Sequence, residues 1–314
     1  MSISELKEGL TSFMALDDLS LTIYLRLKSE EIRLADVNND ILPEMRNLFF
    51  EKINYLIIDK PDLSLRNLSE ADDRKNVLYE YDFEEELGLF TQINSLEENL
   101  EPDRFNFNEN GIDDIDGLII RIGNSSNSIT LYSKSYPINV IKRDAIFKLV
   151  PSETRFEKFD KPLLKVNGSF EIIKYESKYY ILKYEMLERK YGFEKLIRST
   201  AESSITKISD IGLVQNLSKL QENLETLSFA RKFVKAAKYS PVINMGLTAS
   251  RILDFVKTHH SLAGKFKFNE AEDQIILDTT KSCNLFLKLL DDDFLNSLLT
   301  GIEYDSSVKD QIGQ

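Results

Sequence analysis

Residues 117–134 read GLIIRIGNSSNSITLYSK, two apolar runs around a turn-rich centre. Leu118–Ile122 and Ser128–Tyr132 are rich in strand formers, and Gly123-Asn-Ser-Ser-Asn127 between them supplies turn residues, so the segment reads as a hairpin. A second such unit follows: Phe170–Tyr175 and Tyr179–Tyr184 flank Glu176-Ser177-Lys178. Further short strands are expected at Ile146–Val150 and Leu163–Val166. Neighbouring strands with short connections favour an antiparallel sheet, and this β-rich middle decides the fold class.

Working outward, the N-terminal side is mixed. Leu19–Leu27 and Glu31–Val37 read as strands, and Asn38 and Asn39 offer N-caps to a helix carrying Ile41, Met45, Leu48, Phe49 and Ile53. Pro43 falls in its first turn, where proline is tolerated. Val77–Tyr81 reads as a strand, and Asp82–Asp116 as an acidic, loop-rich connection around a short helix at Leu89–Leu96. On the C-terminal side helices dominate after Glu185. One long helix is expected over Asn216–Tyr239, with an apolar stripe from Leu217 to Ala237 at spacings of three and four. Ser240-Pro241 ends it. Thr248–His259 is a further helix, Gln274–Leu277 a short strand, and Cys283–Thr300 mostly helical, with Asp291–Asp293 capping a piece that begins near Phe294. The fold class is α+β. The expected division is 1–116, an acidic mixed unit, and 117–314, a β-rich core followed by a helical region.

Charge divides by position. Residues 1–116 hold 28 acidic and 11 basic side chains (net −17), 117–270 hold 15 and 26 (net +11), and 271–314 hold 9 and 3 (net −6), which sum to the chain's −12. A basic stretch inside an acidic chain suggests a local surface for a polyanion. Two basic clusters stand out. Arg231, Lys235 and Lys238, spaced i, i+4, i+7 with Lys232 beside them, share a helix flank where they could meet successive phosphates or simply stay solvated. Lys142, Arg143, Arg155 and Lys158 interleave with Tyr136, Phe147, Phe156 and Phe159, a mix that suits nucleic acid or a sheet core. Lys265 and Lys267 alternate with Phe266 and Phe268, which places both lysines on one side of a strand.

Enzyme signals are weak, and the chain reads as a binding protein rather than an enzyme. His259 and His260 are adjacent and point about 100° apart on a helix, with no ligand set at zinc spacing. Cys283 stands alone, so no internal disulfide is expected, which suits a reducing compartment. Asp113, Asp114 and Asp116 cluster, and Glu171 precedes Lys174 by three residues, but neither spacing is a nuclease signature. No catalytic residue, metal or cofactor is assigned. The start of the chain has no secretory pattern and no apolar run reaches the about 20 residues of a membrane span, so a cytosolic chain is expected.

The ordered set DGLIIRIG…SITLYSK (116–134), Tyr136-Pro-Ile-Asn-Val140, Ala145-Ile-Phe147 and FEIIKY…KYYILKYEMLERKYGF (170–193), with Ala201 on the next helix, resembles the KwaB family, the larger proteins of the Kiwa anti-phage defence system. The resemblance implies an anti-phage effector that binds DNA largely independently of sequence and hinders phage replication and expression. It implies a homodimer held peripherally at the inner membrane by a small multi-spanning partner, KwaA. It brings no active-site set to positions here, so the DNA contacts named above rest on charge and spacing. A metal-dependent nuclease, or an adaptor that never touches DNA and uses the Leu217–Ala237 stripe as a partner seam, are the alternatives.

Overall fold

The structure is a computed structural model that describes residues 1–71, 75–97, 101–136, 140–141, 149–152, 155–158, 163–188, 190–297 and 303–306. It divides into two compact units: 1–68 with 76–186, and 69–75 with 187–314. The boundary expected after Asp116 falls inside a strand of the first unit.

The first unit begins with α1 (Ile3–Met14), whose Ser2 and Glu5 form a reciprocal capping box that satisfies amides the first turn leaves orphaned. Its stripe Leu6, Leu10 and Phe13 is buried. There follow β1 (Ser20–Leu27), β2 (Ile32–Leu34), α2 (Leu42–Ile53), β3 (Ser64–Asn67), β4 (Val77–Glu80) and α3 (Gly88–Glu97). Asn38 caps the turn that leads into α2, with Pro43 in the first turn of that helix. The hairpins read from sequence are β5 (Ile115–Gly123) with β6 (Ser128–Lys134), and β11 (Ile172–Tyr175) with β12 (Lys178–Ile181). Between them lie β7 (Val140–Ile141), β8 (Leu149–Ser152), β9 (Arg155–Lys158) and β10 (Leu163–Leu164), paired as two small ribbons, β7 with β10 and β8 with β9.

The main sheet has eight strands in the order β2-β1-β5-β6-β11-β12-β4-β3. It is antiparallel except for β3 against β4. One face is apolar: Leu21, Ile23 and Leu25 of β1, Leu118, Ile120 and Ile122 of β5, and Ile129 and Leu131 of β6 share one core with α1 and with Phe49, Ile53 and Ile57. This period-two burial is what fixes register, since a slip by one residue would turn every apolar side chain to the other face.

The opposite face carries α3 and is partly polar. Phe90 stacks on Tyr179 with ring centroids 3.9 Å apart. The Tyr179 hydroxyl donates to the Phe90 carbonyl and to Asn94 Oδ1. Burial, then the nearby Glu97 charge, raises the pKa of Tyr179 far above its ordinary value, so it remains a donor.

The second unit is mainly helical. After α4 (Glu185–Glu188), which spans the division, come α5 (Phe193–Ser209), α6 (Ser218–Asn223), α7 (Leu227–Tyr239), α8 (Pro241–Asn244) and α9 (Ala249–Thr258). Then come β13 (Lys267–Phe268) paired with β14 (Ile275–Ile276), α10 (Thr280–Leu290), and β15 (Phe294–Asn296) paired with β16 (Glu303–Asp305). Two expectations are corrected. The single helix over 216–239 is two, because the chain turns at Leu224–Thr226 before α7 begins. The piece after Asp293 is a strand rather than a helix, because Leu295 pairs across to Tyr304. No helix among the described residues is long and apolar enough to cross a membrane.

Candidate nucleic-acid interface

The basic stretch 117–270 does not form one body. Its +11 divides into +5 from residues 117–186 and +6 from residues 187–270, on either side of the division between units. Much of that charge is also consumed locally, in two different ways.

In the first unit it is consumed in the interior. A bulge interrupts the pairing of β1 with β5: Arg26 faces Gly117 and Leu27 faces Ile115, leaving Asp116 as the extra residue. Such bulges re-aim side chains. Here the bulge delivers Asp116, 4% exposed, to Arg26 Nη1 at 2.8 Å and Lys134 Nζ at 3.1 Å. Gly117 lacks the Cβ that would strike the Tyr132 phenol packed over it. Glu171, also buried, accepts the Lys134 amide at 2.8 Å. Burial pushes its carboxyl pKa up, and the Lys134 amide and the Lys183 and Lys134 charges pull it back only in part.

Lys174 pairs with Glu97 and donates to Asn94 Oδ1. It also lines a cavity of about 390 Å³ with Gly9, Ser12, Phe13, Glu97 and Ser177. Asp116, Glu171 and Lys174, three of the five residues weighed for the nuclease alternative beside Asp113 and Asp114, are thus set among fixed partners. Among the described residues no group of three or more His, Cys, Asp or Glu could hold a metal ion.

In the second unit the charge lies on α7. Phe229, Ala230, Phe233, Val234, Ala236 and Ala237 of this helix are buried, so most of the apolar stripe is core within the unit. That burial counts against the adaptor alternative, which needed the stripe as an outward seam. The cations lie on the flank beside it. Arg231 Nη1 is 2.5 Å from Glu188 Oε1, and Lys235 Nζ is 3.8 Å from Asp291 Oδ2. Lys232 and Lys238 are exposed, with the Lys238 ammonium 3.4 Å from Ser69 Oγ. The i, i+4, i+7 row is therefore real as a helix face, but two of its cations are engaged by acids from other helices. Sequence spacing gave no sign of those acids: Glu188 closes α4, and Asp291 stands at the C-cap of α10.

The remaining candidates divide between the two units. Lys265 is exposed and precedes β13, so the expected lysine alternation within one strand is corrected: only Lys267 is in the strand. Lys267 pairs with Asp278 at 2.5 Å. Arg155 and Lys158 occupy the first and last positions of β9, paired with Ser152 and Leu149. Lys142 and Arg143 lie outside the described residues.

Fold and surface together define a two-unit α+β protein with a charge-paired helical face. Residues 112–300 match the family described as Kiwa protein KwaB-like. The chain is 29% identical over 320 residues to Kiwa protein KwaB of Escherichia coli O55:H7 (strain RM12579 / EPEC), covering 100% of both chains. No solved structure matches it. The chain belongs to the KwaB family and is a component of the Kiwa anti-phage defence system.

Proposed function

We propose that this chain is the DNA-binding effector of its system, gripping phosphates with little regard to sequence and so hindering phage replication and expression. The observation that carries the reading is the pair of exposed lysines, Lys232 and Lys238, presented by a helix whose other face is locked into the core. The packed helix fixes the backbone beneath these cations, so no backbone ordering is needed when they meet a phosphate. Lys265 adds an exposed cation in the same unit.

Fluorescence anisotropy with a labelled duplex tests the reading. Affinity should fall with salt at a log–log slope of about −0.9 per phosphate neutralised. Lys232→Glu with Lys238→Glu should weaken binding by at least about tenfold and flatten that slope. Salt-insensitive binding, or affinity untouched by the double reversal, would refute it.

The chain acts, on this proposal, as a homodimer held at the inner membrane by the membrane-spanning partner KwaA. The acidic N-terminal region supplies the contact, since cytoplasmic loops of membrane proteins are enriched in Lys and Arg. Deleting residues before Asp116 would remove β1 from beside β5 and destroy the sheet, so a point test is needed. Glu84 and Glu85 are exposed. Glu84→Lys with Glu85→Lys should release the chain from partner-containing membranes in a flotation assay while leaving DNA affinity intact. Retained flotation overturns this contact.

A further inference from the structure

We infer that Glu188 and Asp291 are charge masks on the α7 face, holding Arg231 and Lys235 back from DNA until the acids are displaced. This rests on the DNA-binding proposal above. Arg231 and Lys235 sit one turn apart on α7, and each meets one acid from a different helix. The side chains of the Arg231 pair are 22% and 17% exposed, and those of the Lys235 pair 24% and 17%. These are partly desolvated pairs, where screening by salt is weaker than at an open surface.

Both acids also stand in the wrong place for the helices that carry them. Glu188 is the last residue of α4 and Asp291 the C-cap of α10. Backbone carbonyls make such ends partly negative, which disfavours an acid there. An α7 cation opposite each acid helps to compensate it. The cation in turn gives up its net charge. A phosphate approaching Arg231 or Lys235 must displace a fixed carboxylate, and a cation held by that carboxylate neutralises no phosphate and so releases none of the counterions condensed on the DNA. In this state the masked pair is a reserve of two further phosphate contacts.

The test compares the full chain with Glu188→Gln/Asp291→Asn and with a charge-matched control, Glu202→Gln/Asp210→Asn, whose two acids are exposed elsewhere in the unit. Duplex binding is read by anisotropy at about 50 and about 200 mM NaCl. The unmasked variant should bind at least about fivefold tighter at the lower salt, with a log–log slope steeper by up to about 1.8, two phosphates at about 0.9 each. The control should change by less than about twofold. Equal tightening in the control means that overall charge, not masking, sets affinity, and overturns the inference.

If circular dichroism shows the double variant unfolded, Asp291→Asn alone carries the test, with a slope steeper by about 0.9. An unchanged slope there overturns the inference. Wild-type binding that is salt-dependent but unaltered by unmasking defeats masking alone. Absence of binding by both wild type and the unmasked variant defeats the DNA-binding proposal itself.

Discussion

The two units handle charge in opposite ways. The first buries much of it: Arg26, Asp116, Glu171 and Lys174 are each less than a tenth exposed, with Arg26 and Lys174 hydrogen-bonded to Gln92 and Asn94 of α3. The second keeps most of it nearer the surface: among its described residues Asp293 is the one buried charged group, and pairs such as Lys257–Glu272 and Lys267–Asp278 have members a third or more exposed. The α7 pairs stand between these extremes. The same residue types are therefore largely desolvated in one unit and largely solvent-facing in the other. The difference is desolvation. A buried ion pair cannot be broken without stranding a charge in a poorly polarisable interior, whereas a surface pair trades its partner for water at little cost.

The sharpest way to break this comparison is Asp116→Ala. It removes the buried carboxylate that Arg26 and Lys134 share and should cost about 3–5 kcal/mol in urea denaturation, if the first unit depends on its buried charge. A loss below about 1 kcal/mol would place Asp116 with the surface pairs.

In the second unit, an uncharged buried group should matter more than an exposed pair. Ser240, fully buried, caps α8 by accepting the Ile243 amide at 3.0 Å and donates to the Leu290 carbonyl. Ser240→Ala should cost about 1–2 kcal/mol by the same measurement. Lys257→Gln, which opens the exposed pair with Glu272, should cost less than about 1 kcal/mol.

The smallest effect is one of pH. Burial raises the folded-state pKa of Glu171 above its ordinary 4.5, so the folded chain holds this proton more tightly than the unfolded chain does. Protonation then favours folding, and this contribution is lost as pH rises from about 4.5 through the raised value. Glu171→Gln keeps an acceptor for the Lys134 amide and should flatten that part of the stability–pH curve. A curve unchanged by the substitution would mean that the partners of Glu171 fully offset its burial.

What was legible in the sequence was local. The hairpins at 117–134 and 170–184 could be read because turn chemistry and period-two alternation lie within a few residues of each other. The cap at Asn38 and the helix at Thr248 were legible for the same reason. The helix Ile3–Met14 also carries its signal locally, Ser2 and Glu5 followed by Leu6, Leu10 and Phe13. Other features had no local signal. The break between α6 and α7 interrupts a continuous apolar stripe, and β15 exists only because β16 pairs with it.

By itself, then, the sequence determined the α+β class, the antiparallel hairpins, the family and the cationic flank of α7. Each of these depends on spacings shorter than a few turns or on ordered motifs along the chain. Only the tertiary structure decided what the charges are for. It sent Asp116 through a bulge onto Arg26 and Lys134, and it set Glu188 and Asp291 against Arg231 and Lys235. The physical reason is that the strength of a charge depends on its burial and on partners remote in sequence, and neither can be counted along a chain.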